Sequence, residues 1–240
     1  MTLKIVAIII VMVFLDLLFL AMFCRISRMV ERIKSKDAKK DSALTTVEDR
    51  KPLIRRIYSY FNSYCYGWMR YSVLCIGRFP SCRIRNLIMR HVFCMQITRK
   101  SVLYGGSEFR SPWNIKMGNC VVSNNCLFDG RSGISIADNV VFGVGVRLWT
   151  AEHAVNDPMF RVLDENRQPI VIDERAWICS DSTILPGVHI GKGAVIASRA
   201  CVTKDCEPYG IYAGIPAKKI GERNHDLVYG LPGKQTWHFY

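Results

Sequence analysis

Two polar stretches interrupt an otherwise apolar, periodic sequence, and they hold the side chains able to do chemistry. The first, Asp129-Gly130-Arg131-Ser132-Gly133, sets a carboxylate two residues from a guanidinium. The second spans residues 150–169 and carries His153, Asp157 and Arg161. An imidazole titrates at about 6.5, so it exchanges protons at neutral pH and suits acid–base work. Residue types alone leave two readings open at each stretch. His153 is either a reacting group or a plain surface histidine, and Asp129 with Arg131 is either part of a site or a corner ion pair. Metal chemistry has less support. A zinc site needs clustered ligands, whereas His91, His153, His189, His225 and His238 fall in separate segments and the ten cysteines form no CxxC pair. Such thiols read as reduced structural residues of a reducing compartment.

The elements that must position these groups follow a count of six. Ile172, Ile178, Ile184, Ile190, Ile196 and Val202 form one column. Two residues ahead of each stand Ile170, Ala176, Ser182, Val188, Ala194 and Ala200, all small or aliphatic. A helix repeats at about 3.6 and a lone strand at 2. Six fits a short strand, a corner and the next strand, three of which make one triangular coil of a parallel β-helix. Stacked coils lie ~4.8 Å apart, so each isoleucine rests on another. Ile97, Leu103, Phe109, Ile115, Val121 and Leu127 keep the same count, and a step of seven leads to Ile134, Val140 and Val146. Ile136, Phe142 and Leu148 follow two residues behind these. A loop inside a strand would strip the ladder of partners, so both polar stretches must project from corners. His189, between inward Val188 and Ile190, points outward.

The chain has 240 residues, half of them apolar, room for one sizeable domain and an appendage. Its net charge is +13, and residues 51–100 hold ten Lys or Arg and no acid. Residues 5–24 are apolar except for Asp16. An acid at a helix centre costs ~2.5–3.5 kcal/mol on insertion, while each Leu, Ile, Phe or Val returns ~0.3–0.6. Fourteen such residues outweigh it, which predicts a retained membrane anchor over 1–24. A cleaved signal fits less well, since Phe23 stands where a small residue belongs. Arg25, Arg28, Arg32, Lys34, Lys36, Lys39 and Lys40 follow the run and only Lys4 precedes it. The positive-inside rule then puts the main domain on the cytoplasmic side of an inner membrane. A charged linker is expected over 25–51, and a basic, aromatic, amphipathic helical segment over 52–96. That segment includes a helix from Pro80 carrying Arg83, Arg85 and Arg90, and its composition suits a headgroup layer. Single-stranded nucleic acid binding uses the same residue types, but the segment directly follows an anchor. The coils are expected over 97–220 and a tail over 221–240.

Ile134-Ser135-Ile136-Ala137-Asp138-Asn139, Glu152-His153 with Asp157-Pro158, Ala176-Trp177-Ile178 and the run Ile184–Gly191 carry a resemblance. Val202-Thr203-Lys204-Asp205 and Ala213-Gly214-Ile215-Pro216-Ala217-Lys218 extend it. Together they resemble the hexapeptide-repeat acyltransferases, in particular the galactoside/maltose acetyltransferase branch and the polysaccharide-biosynthesis O-acetyltransferases. The resemblance implies an all-β fold, a left-handed parallel β-helix, preceded here by the anchor and basic helices. It implies acetyl-CoA as co-substrate, no metal, and a homotrimer with sites between prisms. His153 matches the family's general base, which takes the proton of an acceptor hydroxyl. Trp177, Ser180, Ser198, Thr203, Lys204 and Lys218 match positions lining the coenzyme groove, with Arg223 as an added phosphate contact. The family's acceptor-site asparagine falls at Ser123, which leaves Asn125, Asp129 and Arg131 as acceptor-side groups. The implied acceptor is a sugar hydroxyl on a nucleotide- or lipid-linked saccharide at the membrane. The alternatives are an amino-sugar N-acetyltransferase and a non-catalytic β-helix scaffold. No nucleic acid partner is implied.

Overall fold

The six-residue lattice closes into a parallel β-solenoid of about six turns, seen in a computed structural model that describes residues 2–37, 53–163 and 166–233. Each turn lays one strand on each of three sheets. The first sheet takes β1 (Gln96–Ile97), β4 (Ile115–Met117), β7 (Ile134–Ile136), β10 (Ile170–Ile172) and β13 (His189–Ile190). The second takes β2 (Val102–Leu103), β5 (Val121–Val122), β8 (Val141–Phe142), β11 (Trp177–Ile178), β14 (Val195–Ile196) and β16 (Gly210–Ala213). An antiparallel β17 (Lys218–Glu222) closes that sheet. The third takes β3 (Glu108–Arg110), β6 (Leu127–Asp129), β9 (Arg147–Leu148), β12 (Thr183–Ile184) and β15 (Cys201–Val202). Corners leading from first to second sheet form the first edge of the prism, those from second to third the second edge, and those from third back to first the third edge.

Register puts like on like. Ile97, Met117, Ile136, Ile172 and Ile190 pair in one column, and Phe109, Phe128, Leu148, Ile184 and Val202 in another. One expectation fails in the second coil. Val121 and Leu127 are only half-buried, and Val122 and Phe128 are the fully buried inward residues. Corners cause the shift: eight positions separate the paired residues Phe109 and Met117, and five separate Met117 and Val122. The inward position two residues ahead stays small because the prism narrows there. Ser101, Cys120, Cys126 and Ser182 fill it, fully buried. Their polar hydrogens find carbonyls: Ser101 Oγ donates to Gly118 O at 2.6 Å and Cys120 Sγ to Ala137 O at 3.1 Å. Burial pushes the Cys120 thiol up to about 12 and Cys126 up to about 11, so both are neutral core groups.

Among the described residues, three helices precede the coils: α1 (Thr2–Asp37), α2 (Leu53–Gly77) and α3 (Cys82–His91). Helix α1 runs past the expected anchor boundary at residue 24, and residues 38–52 of the expected linker lie outside the described residues. Its stretch Ile5–Ile33 is long and apolar enough to cross a membrane. Beyond Leu15 it is two-sided. Leu20 and Cys24 are buried in the core cluster with Met69 and Val73 of α2, while Leu18, Met22, Ile26, Met29 and Ile33 stay exposed as a strip. Trp68 Nε1 donates to Asp16 Oδ1 at 2.8 Å, and Trp113 Nε1 to Glu31 Oε2 at 2.7 Å. The first three turns of α2 project with Leu53, Ile54, Ile57, Tyr60, Phe61 and Tyr64 exposed. Helix α3 starts after Ser81. Arg85, expected among the arginines suited to a headgroup layer, is instead buried and donates to the carbonyls of Phe79 and Leu103. It therefore fastens α3 to the first coil.

The expected tail is a strap along the first edge. Arg223 N donates to Tyr209 O at 2.7 Å, Arg175 Nε to Tyr229 O at 3.1 Å, and Leu231 N to Asn139 Oδ1 at 2.8 Å. Residues 234–240 of that tail lie outside the described residues.

Candidate active site

All three large corner elaborations fall on the third edge. Short 3-10 turns occupy Pro112–Asn114 and Gly130–Ser132, and the long insertion leaves after β9. Backbone bonds close the long loop at its base: Gln168 N donates to Thr150 O at 3.1 Å and Glu152 N to Asn166 O at 3.1 Å. Nearer the tip, Ala154 N donates to Arg161 O at 2.8 Å and Phe160 N to Asp157 O at 2.8 Å. Asp157 accepts from the Arg161 guanidinium at 2.8 Å, and its side chain is 5% exposed. The Arg161 side chain and backbone bonds hold the Asp157 carboxyl down at about 2, so the pair is ionised at neutral pH.

This frame fixes the imidazole. His153 Nδ1 lies 2.7 Å from Phe160 O, and its ring stacks on Phe160 with centroids 4.4 Å apart and planes 3° apart. A carbonyl oxygen only accepts, so Nδ1 carries the hydrogen and the lone pair of the neutral ring sits on Nε2. Side-chain exposure leaves that nitrogen open to a substrate. A fixed tautomer with a free acceptor nitrogen is the arrangement a general base needs. Phe160 was not singled out from the sequence, although a bare aromatic in a polar insertion was its one signal.

A buried bracket ties the loop to the corner below. Asp129 is fully buried and takes three side-chain bonds from Arg131, between 2.7 and 3.1 Å. Thr150 Oγ1 donates to Asp129 O at 2.6 Å and accepts from Ser132 N at 3.0 Å. The corner ion pair thus exists, and the exposed face of Arg131 remains available beside it. Thr150 was also missed; a lone threonine after a tryptophan carries no pattern.

The predicted residues distribute over separate edges. His153, Asp129, Arg131, Thr203 and Lys204 share the third edge, Thr203 and Lys204 following β15. Ser123, Asn125, Ser180 and Ser198 occupy the second edge, so Ser123 and Asn125 lie apart from Asp129 and Arg131. Asn125 adopts a left-handed φ of 59° at its corner. Ser180 Oγ accepts from Val144 N at 3.2 Å, packing that corner tightly on Gly143. Trp177 is an exposed indole on the second sheet, and Lys218 begins β17 at the end of the same sheet, with β14 and β16 between them. Arg223 sits on the first edge, where its Nη1 donates to Arg175 O at 3.0 Å and Gly193 O at 3.3 Å. His189 is exposed and pairs with Asp173 at 2.9 Å. Among the described residues, no three His, Cys, Asp or Glu side chains converge as metal ligands do.

Residues 169–204 match the family described as "Bacterial transferase hexapeptide (six repeats)". A Schizosaccharomyces pombe "putative acetyltransferase" is 38% identical over 137 residues, 57% of this chain and 66% of that protein. The chain spans about a third to two thirds of the length of the curated relatives it matches. A galactoside acetyltransferase solved with coenzyme A superposes with a TM-score of 0.58 and 27% identity, covering 66% of this chain and 82% of that one. A Vibrio cholerae hexapeptide-repeat acetyltransferase solved with acetyl coenzyme A gives 0.57 and 25%, over 63% and 83%. With the column register, the corner loop and these matches in agreement, the chain belongs to the hexapeptide-repeat transferase family.

Proposed function

We infer that the protein is an acetyl-CoA-dependent O-acetyltransferase, held at the membrane by α1, that modifies a sugar hydroxyl of a saccharide destined for a surface polysaccharide. The observation that carries this reading is the His153 ring, oriented through Nδ1 by Phe160 O at 2.7 Å with Nε2 open. Nε2 takes the proton of the acceptor hydroxyl as its oxygen attacks the thioester carbonyl. The tetrahedral oxyanion collapses, the C–S bond breaks, and the departing CoA thiolate recovers the proton from the imidazolium. Direct transfer then needs no covalent enzyme intermediate. Lys204 and Lys218 supply charge for the CoA phosphates, and Trp177, Ser180, Ser198 and Thr203 shape the groove.

Because His153 and the second-edge serines lie on different edges of one prism, a complete site requires a second copy. A homotrimer supplies it, each loop reaching the neighbouring prism. The exposed loop residues Val155, Met159 and Phe160 and the exposed Trp177 on the second sheet give such an interface apolar surface. The strip and aromatic turns on α1 and α2 suit lipid, with the coils on the cytoplasmic side.

The test is transfer of labelled acetyl from acetyl-CoA to free hydroxyl and amino sugars by the full chain in detergent. His153→Ala is expected to lower the rate by ~10²–10⁴-fold, the span for removing a general base. Undiminished transfer by that variant, or transfer to amines alone, refutes the reading.

A further inference from the structure

We propose that the groove between the later turns of α1 and the third edge binds the diphosphate of a lipid-linked acceptor. The cavity, about 570 Å³, is lined by Arg28 and Arg32 of α1 and by Arg131 and Arg167 of the two corner stretches. Glu31, Gln96, Trp113, Asn114, Ser132 and Gly133 complete its wall. Glu31 accepts from Trp113 and Asn114, and Asp129 holds Arg131. Four guanidiniums lining one groove match the oxygens of a diphosphate better than a neutral sugar. Asp129 grips one flank of Arg131 and so pre-orients the rest of its fork for a phosphate oxygen.

The surroundings select a phosphate borne on a lipid over one free in solution. Ile26, Met29 and Ile33 are exposed on the same turns of α1 that carry Arg28 and Arg32. A phosphate in the groove therefore leaves its apolar chain running along the helix strip, on the side away from the coils. Arg167 is also the strand partner of Ala151, two residues before His153. The groove and the base thus share one loop, and a saccharide attached to the diphosphate extends from one toward the other. This inference rests on the acetyltransferase reading for its acceptor, but the binding itself needs no acetyl-CoA.

The full chain in neutral detergent micelles is titrated calorimetrically with geranylgeranyl diphosphate, under saturating CoA. Inorganic pyrophosphate, geranylgeraniol and phosphatidylglycerol serve as comparison ligands. The prenyl diphosphate is expected to bind more tightly than all three. Arg28→Gln with Arg167→Gln should weaken it by roughly 10- to 100-fold or more, as loss of charged hydrogen bonds does. The corresponding double Lys variant should retain most binding, and Lys116→Gln, on the first sheet, should change nothing. Equal binding by the double Gln variant overturns the proposal, as does equal competition by phosphatidylglycerol or pyrophosphate. Lost prenyl diphosphate binding with His153-dependent transfer to a free sugar intact sinks only the groove. Intact binding with no transfer to any sugar sinks only the acetyltransferase reading.

Discussion

Thr150→Val isolates the bracket that holds the His153 loop, because valine keeps the shape and removes one hydroxyl. Thr150 is fully buried, and its Oγ1 gives a 2.6 Å bond to Asp129 O while taking a 3.0 Å bond from Ser132 N. Stranding the buried carbonyl costs about 1–3 kcal/mol, and losing the second bond adds about 0.5–1.5. The corner opening should therefore become cheaper by about 2–4 kcal/mol, which is roughly 30- to 10³-fold in equilibrium. Amide hydrogen exchange at Ser132 reads that opening directly, since protection reports the local unfolding free energy. Three residues on, His153 should lose its placement, and small displacements of a reacting group cost up to about 10²-fold in rate. Thr150→Ser keeps the hydroxyl and should preserve both protection and rate. Unchanged exchange at Ser132 in Thr150→Val refutes the reasoning, and so does an equal loss in Thr150→Ser.

Two further perturbations probe the core and the loop. Phe128 is fully buried between Phe109, at 5.5 Å, and Phe142, at 5.0 Å, so Phe128→Ala should destabilise the coils by about 3–5 kcal/mol in urea unfolding. A shift below about 1 kcal/mol would mean the column does not carry the second coil. Asp157 has a folded value of about 2, depressed by Arg161, against about 3.9 for a free aspartate. Its contribution to loop order is complete above the higher value and disappears as pH falls through the lower one. The His153 ring signals in NMR should lose dispersion over that acid window, and Asp157→Asn should already show the disordered pattern at neutral pH.

The C-terminal coils were legible because their columns admit one register. From Ile172 to Val202 every sixth residue is aliphatic with a small or aliphatic residue two ahead, and a slip by one would turn Asp173 or His189 inward. The second coil offers no such discrimination. Val121-Val122 and Leu127-Phe128 are apolar doublets, and either member satisfies a six-residue count. The choice fell to the corner at Gly118-Asn119, which is a residue short and whose length leaves no mark in the apolar pattern. The positions of the corner insertions were readable for the opposite reason, since a ladder rejects extra residues anywhere else. The groups that aim His153 were not readable, because a backbone carbonyl seven residues away acts through geometry and not through side-chain type.

The acids of α1 show what long separation hides. Asp16 was weighed from the sequence only as a cost to membrane insertion, set against fourteen apolar neighbours. In the structure it accepts from Trp68, 52 positions away, and Glu31 accepts from Trp113, 82 positions away. Asp16 thus faces α2 and Glu31 the corner of the first coil, while Leu18, Met22, Ile26, Met29 and Ile33 stay exposed. An anchor that only tethered would need neither bond, since a flexible joint holds a domain near a membrane equally well. Two indole–carboxylate bonds spaced 15 residues along one helix instead fix its azimuth, one against α2 and one against the first coil. That orientation puts Arg28 and Arg32 over the third edge and the apolar strip opposite. The edge carrying His153 is thereby held at a set angle to α1, which the proposed membrane-borne acceptor would use and a flexible joint would not give.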